Sequence, residues 1–174
     1  SHMRSAVVMA LSRLVFEFGW ENEQLQALLP TLLSTVLVLI DEGSREVTKS
    51  VVGFVRICTS AIRPDQLEPL LPDVIGRLLK SQHAKSRFRA KIKLILKKLV
   101  KRYGYEALIP YVPESERRLL THMRKLDERE KRTKQAQRES GVPDVDRFDD
   151  MLDSDEEDSD DGRTLMTGLT GLSK

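Results

Sequence analysis

The chain has 174 residues, of which 40% are hydrophobic, 5% aromatic and 32% charged, and its formal net charge is +2 at pH 7. This length suffices for one domain followed by a tail, and the single cysteine excludes an intramolecular disulfide and indicates a reducing compartment. The net charge hides an asymmetry, because residues 144–174 hold 11 acidic and 3 basic residues, a net charge of −8, which leaves +10 for residues 1–143. A basic body favours a polyanionic partner.

The first predicted element is a helix near the amino terminus. Residues 1–3 (SHM) resemble the remnant of a cleaved purification tag, so we expect the natural sequence to start at residue 4, inside a longer protein. Residues 5–18 then carry an apolar stripe at helical spacing, which Gly19 should end in the C′ position. The stripe consists of Val7, Val8, Leu11, Leu14, Val15 and Phe18. It predicts the second helix of an incomplete repeat.

A sequence repeat follows. QLQALLP at residues 24–30 returns as QLEPLLP at residues 66–72, an offset of 42 residues with five of seven positions identical. HEAT and armadillo arrays repeat every 40–47 residues or so, and their helix pairs must stack to bury their apolar faces. Pro30 should kink its helix or mark a short helical entry. The period predicts a short α-solenoid, an architecture that favours binding over catalysis.

The helix pairs of the solenoid are bounded by turns at residues 41–44 and 63–65. We predict helices over residues 24–40, 45–62, 66–80 and 84–103, and we expect Gly104 to end the last of these helices. YEALIP at residues 105–110 begins a third copy, which Pro113 cuts short.

Pro113 opens a final helix, anchored by Leu119, Leu120, Met123 and Leu126. Beyond Leu126 this helix has almost no apolar residue and should project or fray. The predicted fold is therefore all-α. Its parts are HEAT-like repeats over residues 4–112, a capping or projecting helix over 113–140, and a disordered acidic tail over 141–174.

The acidic tail offers two candidate regulatory sites. Ser154 and Ser159 each precede acidic residues, a context that resembles sites of acidophilic kinases. We expect the tail to compete with an anionic ligand for the basic body, since both belong to one chain. Phosphorylation would add about −1.5 to −2 charges per site.

The strongest candidate binding surface is a basic helix. Between Asp73 and Glu106 the sequence contains no acidic residue, and residues 85–102 contain nine cations, including Lys91. A stripe from Phe88 to Tyr103 should face the core, which leaves the cations on the solvent side. Repulsion along such a face is relieved when an anion binds. The RNA-binding candidates are Lys85, Arg87, Arg89, Lys93, Lys97, Lys98, Lys101 and Arg102.

The contact at this helix should be directed at phosphates with little sequence preference. The aromatic residues do not interleave with the basic run, and most of them fall at core spacings. The alternative is a charged face whose anionic neighbour lies elsewhere in a longer protein.

Catalytic and metal sites are not expected. His2, His83 and His122 are isolated from other ligand types, and one cysteine cannot build a zinc site. We expect no cofactor, no small-molecule substrate and a buried, inert thiol at Cys58. The longest strongly apolar stretch, residues 32–40, is too short to span a bilayer, so no membrane contact is expected.

One part of the chain resembles a known family. The segments KRYGY (101–105), LIP (108–110) and RRLLTHMRK (117–125), with Pro113 between them, are similar to the C-terminal HEAT region of the ribosomal-RNA-processing protein twelve family. The acidic segment FDDMLDSD (148–155) resembles the tail that follows in that family.

The resemblance implies a nucleolar and nuclear assembly factor without enzymatic activity. It implies association with pre-ribosomal particles and with export of the small-subunit precursor. Together with the basic helix, it leads us to expect that the chain holds pre-ribosomal RNA and pre-ribosomal particle proteins and shuttles to the cytoplasm. The rival interpretation is a karyopherin-like scaffold that binds only proteins, such as a Ran-type GTPase or an acidic partner.

Overall fold

The computed structural model describes residues 1–139. These residues are helical and contain no strand. Four short 3₁₀ segments lie between or beside the α-helices, at Val38–Glu42, Glu68–Leu70, Ile109–Tyr111 and Glu114–Glu116. The α-helices are α1 (His2–Phe18), α2 (Glu23–Leu37), α3 (Arg45–Ala61), α4 (Pro64–Leu67), α5 (Leu71–Lys80), α6 (Gln82–Tyr103), α7 (Tyr105–Leu108) and α8 (Arg117–Glu139).

The helices stack in two layers. One layer consists of α1, α3 and α6, where α3 packs against both of the others. The other contains α2 and α5, with the Ile109–Tyr111 segment following against α5. Successive members of each layer are about one repeat apart in sequence, as the 42-residue offset predicts. The prediction of an all-α solenoid of stacked helix pairs is confirmed.

A continuous apolar core lies between the layers. Its fully buried side chains come from both layers and include Leu29, Phe54, Leu67, Ile75 and Ile95. Cys58 lies in the same core, as predicted, and burial raises the pKa of its thiol far above the ordinary range. A thiol that stays protonated is a poor nucleophile, so Cys58 acts as a core residue.

The two copies of the repeat fold differently. The first copy lies within α2, which runs through Pro30, whereas the second is divided into α4, the Glu68–Leu70 segment and α5. The second copy has Pro69 where the first has Ala27, and two prolines three residues apart remove two helical N–H donors. The single helix predicted over residues 66–80 was therefore wrong in detail.

Two glycines act as the sequence predicts and one does not. Gly43 (φ 73°) and Gly104 (φ 88°) have positive φ and end the helices before them. Gly19 follows α1 in a right-handed conformation instead of the left-handed one expected at C′.

The outer side of α1 differs most from expectation. Val8 and Val15 are buried against the core, but Val7, Leu14 and Phe18 are exposed. The exposed aromatic residues here are Phe16, Phe18 and Trp20, against the prediction that most aromatics fall in the core. Within residues 1–139, α1 packs mainly against α3, and the side chains that face away from α3 stay outside the core.

The segment from Glu23 to Glu42 is the one described helical run that is long and apolar enough to cross a membrane, with 20 residues and a mean hydropathy of 1.5. The expectation that the apolar stretch is too short for this was wrong on length, because α2 continues into Val38–Glu42. Leu29, Leu33, Leu37 and Ile40 are nevertheless fully buried in the protein core, and 33% of the segment is buried in total.

Residues 1–129 form one compact unit, and a second unit begins at Glu130. Within the first unit Leu120 is buried, whereas Leu119 and Met123 pack partly against the core. Leu126, predicted as an anchor, is 43% exposed. Of the second unit the structure describes residues 130–139, the last turns of α8, whose side chains are exposed from Glu130 to Ala136. The acidic tail, with Ser154 and Ser159, lies outside the described residues.

Candidate nucleic-acid interface

The basic helix predicted from the sequence is α6. It begins after Ser81, whose hydroxyl accepts a hydrogen bond from the N–H of Ala84, and it ends at Gly104. Its buried face consists of Ala84, Phe88, Ile92, Ile95, Leu96 and Leu99, with Tyr103 partly buried. The predicted apolar stripe is thus confirmed, and it fixes the rotation of the helix in the array.

The helix is interrupted at Phe88, where φ is −129° and ψ is 29°. Lys85 and Arg87 lie before this break, and the remaining cations follow it. The prediction that residues 85–102 lie on one regular helix was wrong at Phe88. The regular part of the basic face therefore starts at Arg89.

Four cations at four-residue spacing follow the break and point to solvent. They are Arg89, Lys93, Lys97 and Lys101, here called the α6 row, and all four are exposed. A four-residue step along an α-helix rises about 6 Å. Ala90 and Leu94 are also exposed on this side, so the row includes a small apolar surface.

Lys85 and Arg102 are RNA-binding candidates that contact other elements of the protein. Lys85 is half-buried, and its Nζ lies 3.0 Å from Oε1 of Glu116. Arg102 is half-buried as well and donates to the carbonyl oxygens of Thr59 (2.5 Å) and Ile62 (2.8 Å). These carbonyls end α3, where the helix dipole favours a cation. Both side chains therefore connect α6 to its neighbours.

A further cationic group lies where α6 meets α3. Lys98 donates a hydrogen bond to the hydroxyl of Ser60. Burial, then Arg56 and Arg102, lower the pKa of Lys98. We call Arg56, Lys98 and Arg102 the α3–α6 cluster. Since the sequence argument treated α6 alone, it missed Arg56 and Ser60.

One signal could have found these residues. Side-chain contacts across neighbouring helices join residues about one repeat apart, as between Lys98 and Ser60, which are 38 positions apart, and Arg102 and Thr59, which are 43 apart. Searching one period upstream of each cation would have led to the end of α3.

A second basic surface lies on α8. Arg117, Arg118, Thr121, His122 and Lys125 line a shallow, open depression of about 290 Å³. They occupy one face of the helix, since their positions repeat every three to four residues. Their sequence pattern resembles that of a known family but did not predict a binding surface.

Groups of three or more potential metal ligands do not occur within residues 1–139. What the described residues do present is a stack of helix pairs with a row of cations on its last long helix. Fold and surface together define a helical-repeat scaffold of the HEAT type.

Comparison with known proteins identifies the family. No family model matches the chain. Ribosomal RNA-processing protein 12 of Saccharomyces cerevisiae is 33% identical over 98% of this chain, and the chain spans 14% of that protein. Putative ribosomal RNA-processing protein 12 of Schizosaccharomyces pombe is 31% identical over 82% of the chain, which spans 12% of it. The human RRP12-like protein is 29% identical over 75% of the chain, which spans 10% of it. The chain belongs to the ribosomal RNA-processing protein 12 family and corresponds to a small segment of its much longer members.

Proposed function

We propose that this chain is an RNA-binding segment of a ribosome-assembly factor, and that it acts in ribosomal RNA processing by holding pre-ribosomal RNA through its phosphates. The observation that carries this proposal is the α6 row. It is an exposed line of cations on a helix that is fixed by its buried face and contains no acidic residue. The names of the relatives support the ribosomal RNA-processing context.

The α6 row is suited to binding the sugar-phosphate backbone of a nucleic acid. Phosphates are bound by cations without reading the bases, and each contact releases counterions, so the affinity depends strongly on salt. The exposed aromatic residues within residues 1–139 are Phe16, Phe18 and Trp20 near α1 and Tyr111 after α7, and none of them interleaves with the cations of the row. Binding should therefore be tolerant of sequence.

The cellular setting follows from the family as part of the same proposal. A factor that holds pre-ribosomal RNA works in the nucleolus and nucleus, together with pre-ribosomal particle proteins. Participation in nuclear export is proposed from the family resemblance, and phosphorylation at Ser154 and Ser159 from the tail sequence. Contact with a Ran-type GTPase belongs to the alternative, a scaffold that binds only proteins.

The decisive experiment reverses the charge of three members of the row. Lys93→Glu, Lys97→Glu and Lys101→Glu together should leave the fold intact, because exposed substitutions usually change the free energy of unfolding by no more than about 0.5 kcal/mol each. Affinity for a single-stranded RNA, measured by fluorescence anisotropy between low and physiological salt, should fall steeply. The slope of log affinity against log salt should flatten by about 0.7 for each lost phosphate contact.

A matched control distinguishes the effect of charge at the α6 row from the effect of the protein's net charge. Arg45, Lys49 and Lys80 are exposed cations on α3 and α5, and reversing them changes the net charge by the same amount. We expect this control to retain most of the RNA affinity. If the α6 variant is folded, shown by circular dichroism and melting, and still binds RNA with parental affinity and slope, the RNA proposal is wrong. The protein-only scaffold then becomes the better interpretation.

A further inference from the structure

The α3–α6 cluster brings three cations from two helices into one place. Arg56 lies on α3 one turn before Ser60, and the amino group of Lys98 on α6 donates to the Ser60 hydroxyl. The guanidinium group of Arg102 is held by the carbonyl oxygens of Thr59 and Ile62. A guanidinium group has five N–H donors, so these two bonds leave further donors for a ligand. The two carbonyl oxygens thus fix the orientation of the Arg102 guanidinium group before any ligand binds.

The cluster differs in its pairing from other cationic side chains that contact a neighbouring element of the protein. Lys85 pairs with Glu116, Arg63 with Glu23 and Arg4 with Glu42. In contrast, none of Arg56, Lys98 and Arg102 forms an ion pair with a carboxylate within residues 1–139. The α3 carbonyls explain the position of Arg102, but they do not explain why Arg56 and Lys98 stand beside it.

Like charges held close together oppose their own protonated forms. Repulsion from Arg56 and Arg102 adds to burial in lowering the pKa of Lys98. Within residues 1–139, no carboxylate forms an ion pair with these three cations. A bound anion would relieve that repulsion and would accept hydrogen bonds from both guanidinium groups.

We propose that Arg56, Lys98 and Arg102 form a binding site for one backbone phosphate of RNA at the junction of α3 and α6. The site deepens the proposed function and rests on it. An RNA phosphate is favoured over a carboxylate of an acidic protein because Lys97 and Lys101 of the α6 row directly precede Lys98 and Arg102 in sequence. Neighbouring positions of an α-helix lie about 100° apart around its axis, so the row lies on the face of α6 next to the site. A polymer with charges along its backbone can contact both. The site would fix the position of the RNA, and the row would follow its backbone.

The test compares two double variants that remove the same charge. Arg56→Gln with Lys98→Gln removes two members of the cluster and leaves Arg102 to cap α3. Lys93→Gln with Lys101→Gln removes two members of the row. The probe is oligouridylate, with affinity measured at physiological salt and melting temperature measured with and without the probe. A poly-glutamate peptide of equal charge serves as competitor.

We expect the cluster variant to lose about 100-fold in affinity, since each charge-assisted hydrogen bond contributes about 10-fold. The row variant should lose only several-fold. Without RNA the cluster variant should melt at or above the parental temperature, because repulsion is relieved. A purely structural role of the cluster predicts the opposite, namely a lower melting temperature with unchanged affinity.

Three other results of this experiment would overturn either the cluster site or the proposed function. Equal losses in both variants would show diffuse binding, which overturns the cluster site and leaves the proposed function intact. Competition by poly-glutamate as strong as by RNA would show that the site is not specific for phosphate, which also overturns it. Failure of the parental protein to bind oligouridylate overturns the proposed function itself.

Discussion

Helices α6 and α8 are both long and basic, but they differ in what holds them in place. α6 buries six side chains along its length and carries no acidic residue. In α8, Leu120 is buried, and its cations alternate with acids, as in the pair between Arg124 and Glu128 at 3.2 Å. A high content of lysine and arginine therefore does not by itself define a binding surface. The distinguishing property of α6 is that it carries no acidic residue of its own and that its backbone is fixed by packing.

The largest expected difference between the two helices is in local stability. Amide hydrogens of residues 92–99 in α6 should exchange only through global unfolding, which costs roughly 5–15 kcal/mol in a typical domain. Those of residues 130–139 in α8 should exchange through fraying at almost no cost, because no buried apolar side chain is described there. Hydrogen exchange followed by mass spectrometry measures both. Equal protection in the two segments would contradict this account of α8.

A smaller effect is expected from truncating one apolar side chain in each helix. Ile95→Ala in α6 should lower the free energy of unfolding by about 2–5 kcal/mol, because the side chain is fully buried. Leu126→Ala in α8 should change it by less than about 0.5 kcal/mol, since that residue is 43% exposed. Urea denaturation followed by circular dichroism gives both values. A large loss at Leu126 would mean that α8 is anchored more extensively than the structure shows.

The smallest expected effect is a change in the pKa of the Lys98 amino group. Arg56→Gln removes one neighbouring cation, so the pKa of Lys98 should rise, but burial, the main cause of its lowering, remains. The unfolded chain binds this proton more tightly than the folded protein. The resulting cost to stability is therefore fully present below the folded pKa, including at neutral pH, and it is lost as the pH rises from the folded pKa to the higher pKa of the unfolded chain. NMR titration of the Lys98 side chain tests the shift, with Lys93→Gln as the control that should leave it unchanged.

Periodicity predicted much of α6 and little of its surroundings. The spacing of Ile92, Ile95 and Leu99 was enough to identify the buried face, because a helix presents the same side every three to four residues. The break at Phe88 and the pairing of Lys98 with Ser60 depend on how α6 meets α3, which no local pattern records. The exposure of Trp20 has the same origin, since it depends on whether a neighbouring helix is present. Sequence reasoning thus found the row and missed the cluster.

The end of α3 is held from both sides. Gln26 of α2 donates to the carbonyl of Ala61 at 2.7 Å, Arg102 donates to those of Thr59 and Ile62, and the hydroxyl of Tyr103 donates to Pro64 at 2.7 Å. These four carbonyls lie where one helix pair passes to the next, the joint at which a solenoid sets its superhelical curvature. A joint tied by side chains from two neighbours resists bending and torsion. The array should therefore be rigid at this joint. A long, flexible ligand would have to change its own conformation to follow the surface of the protein.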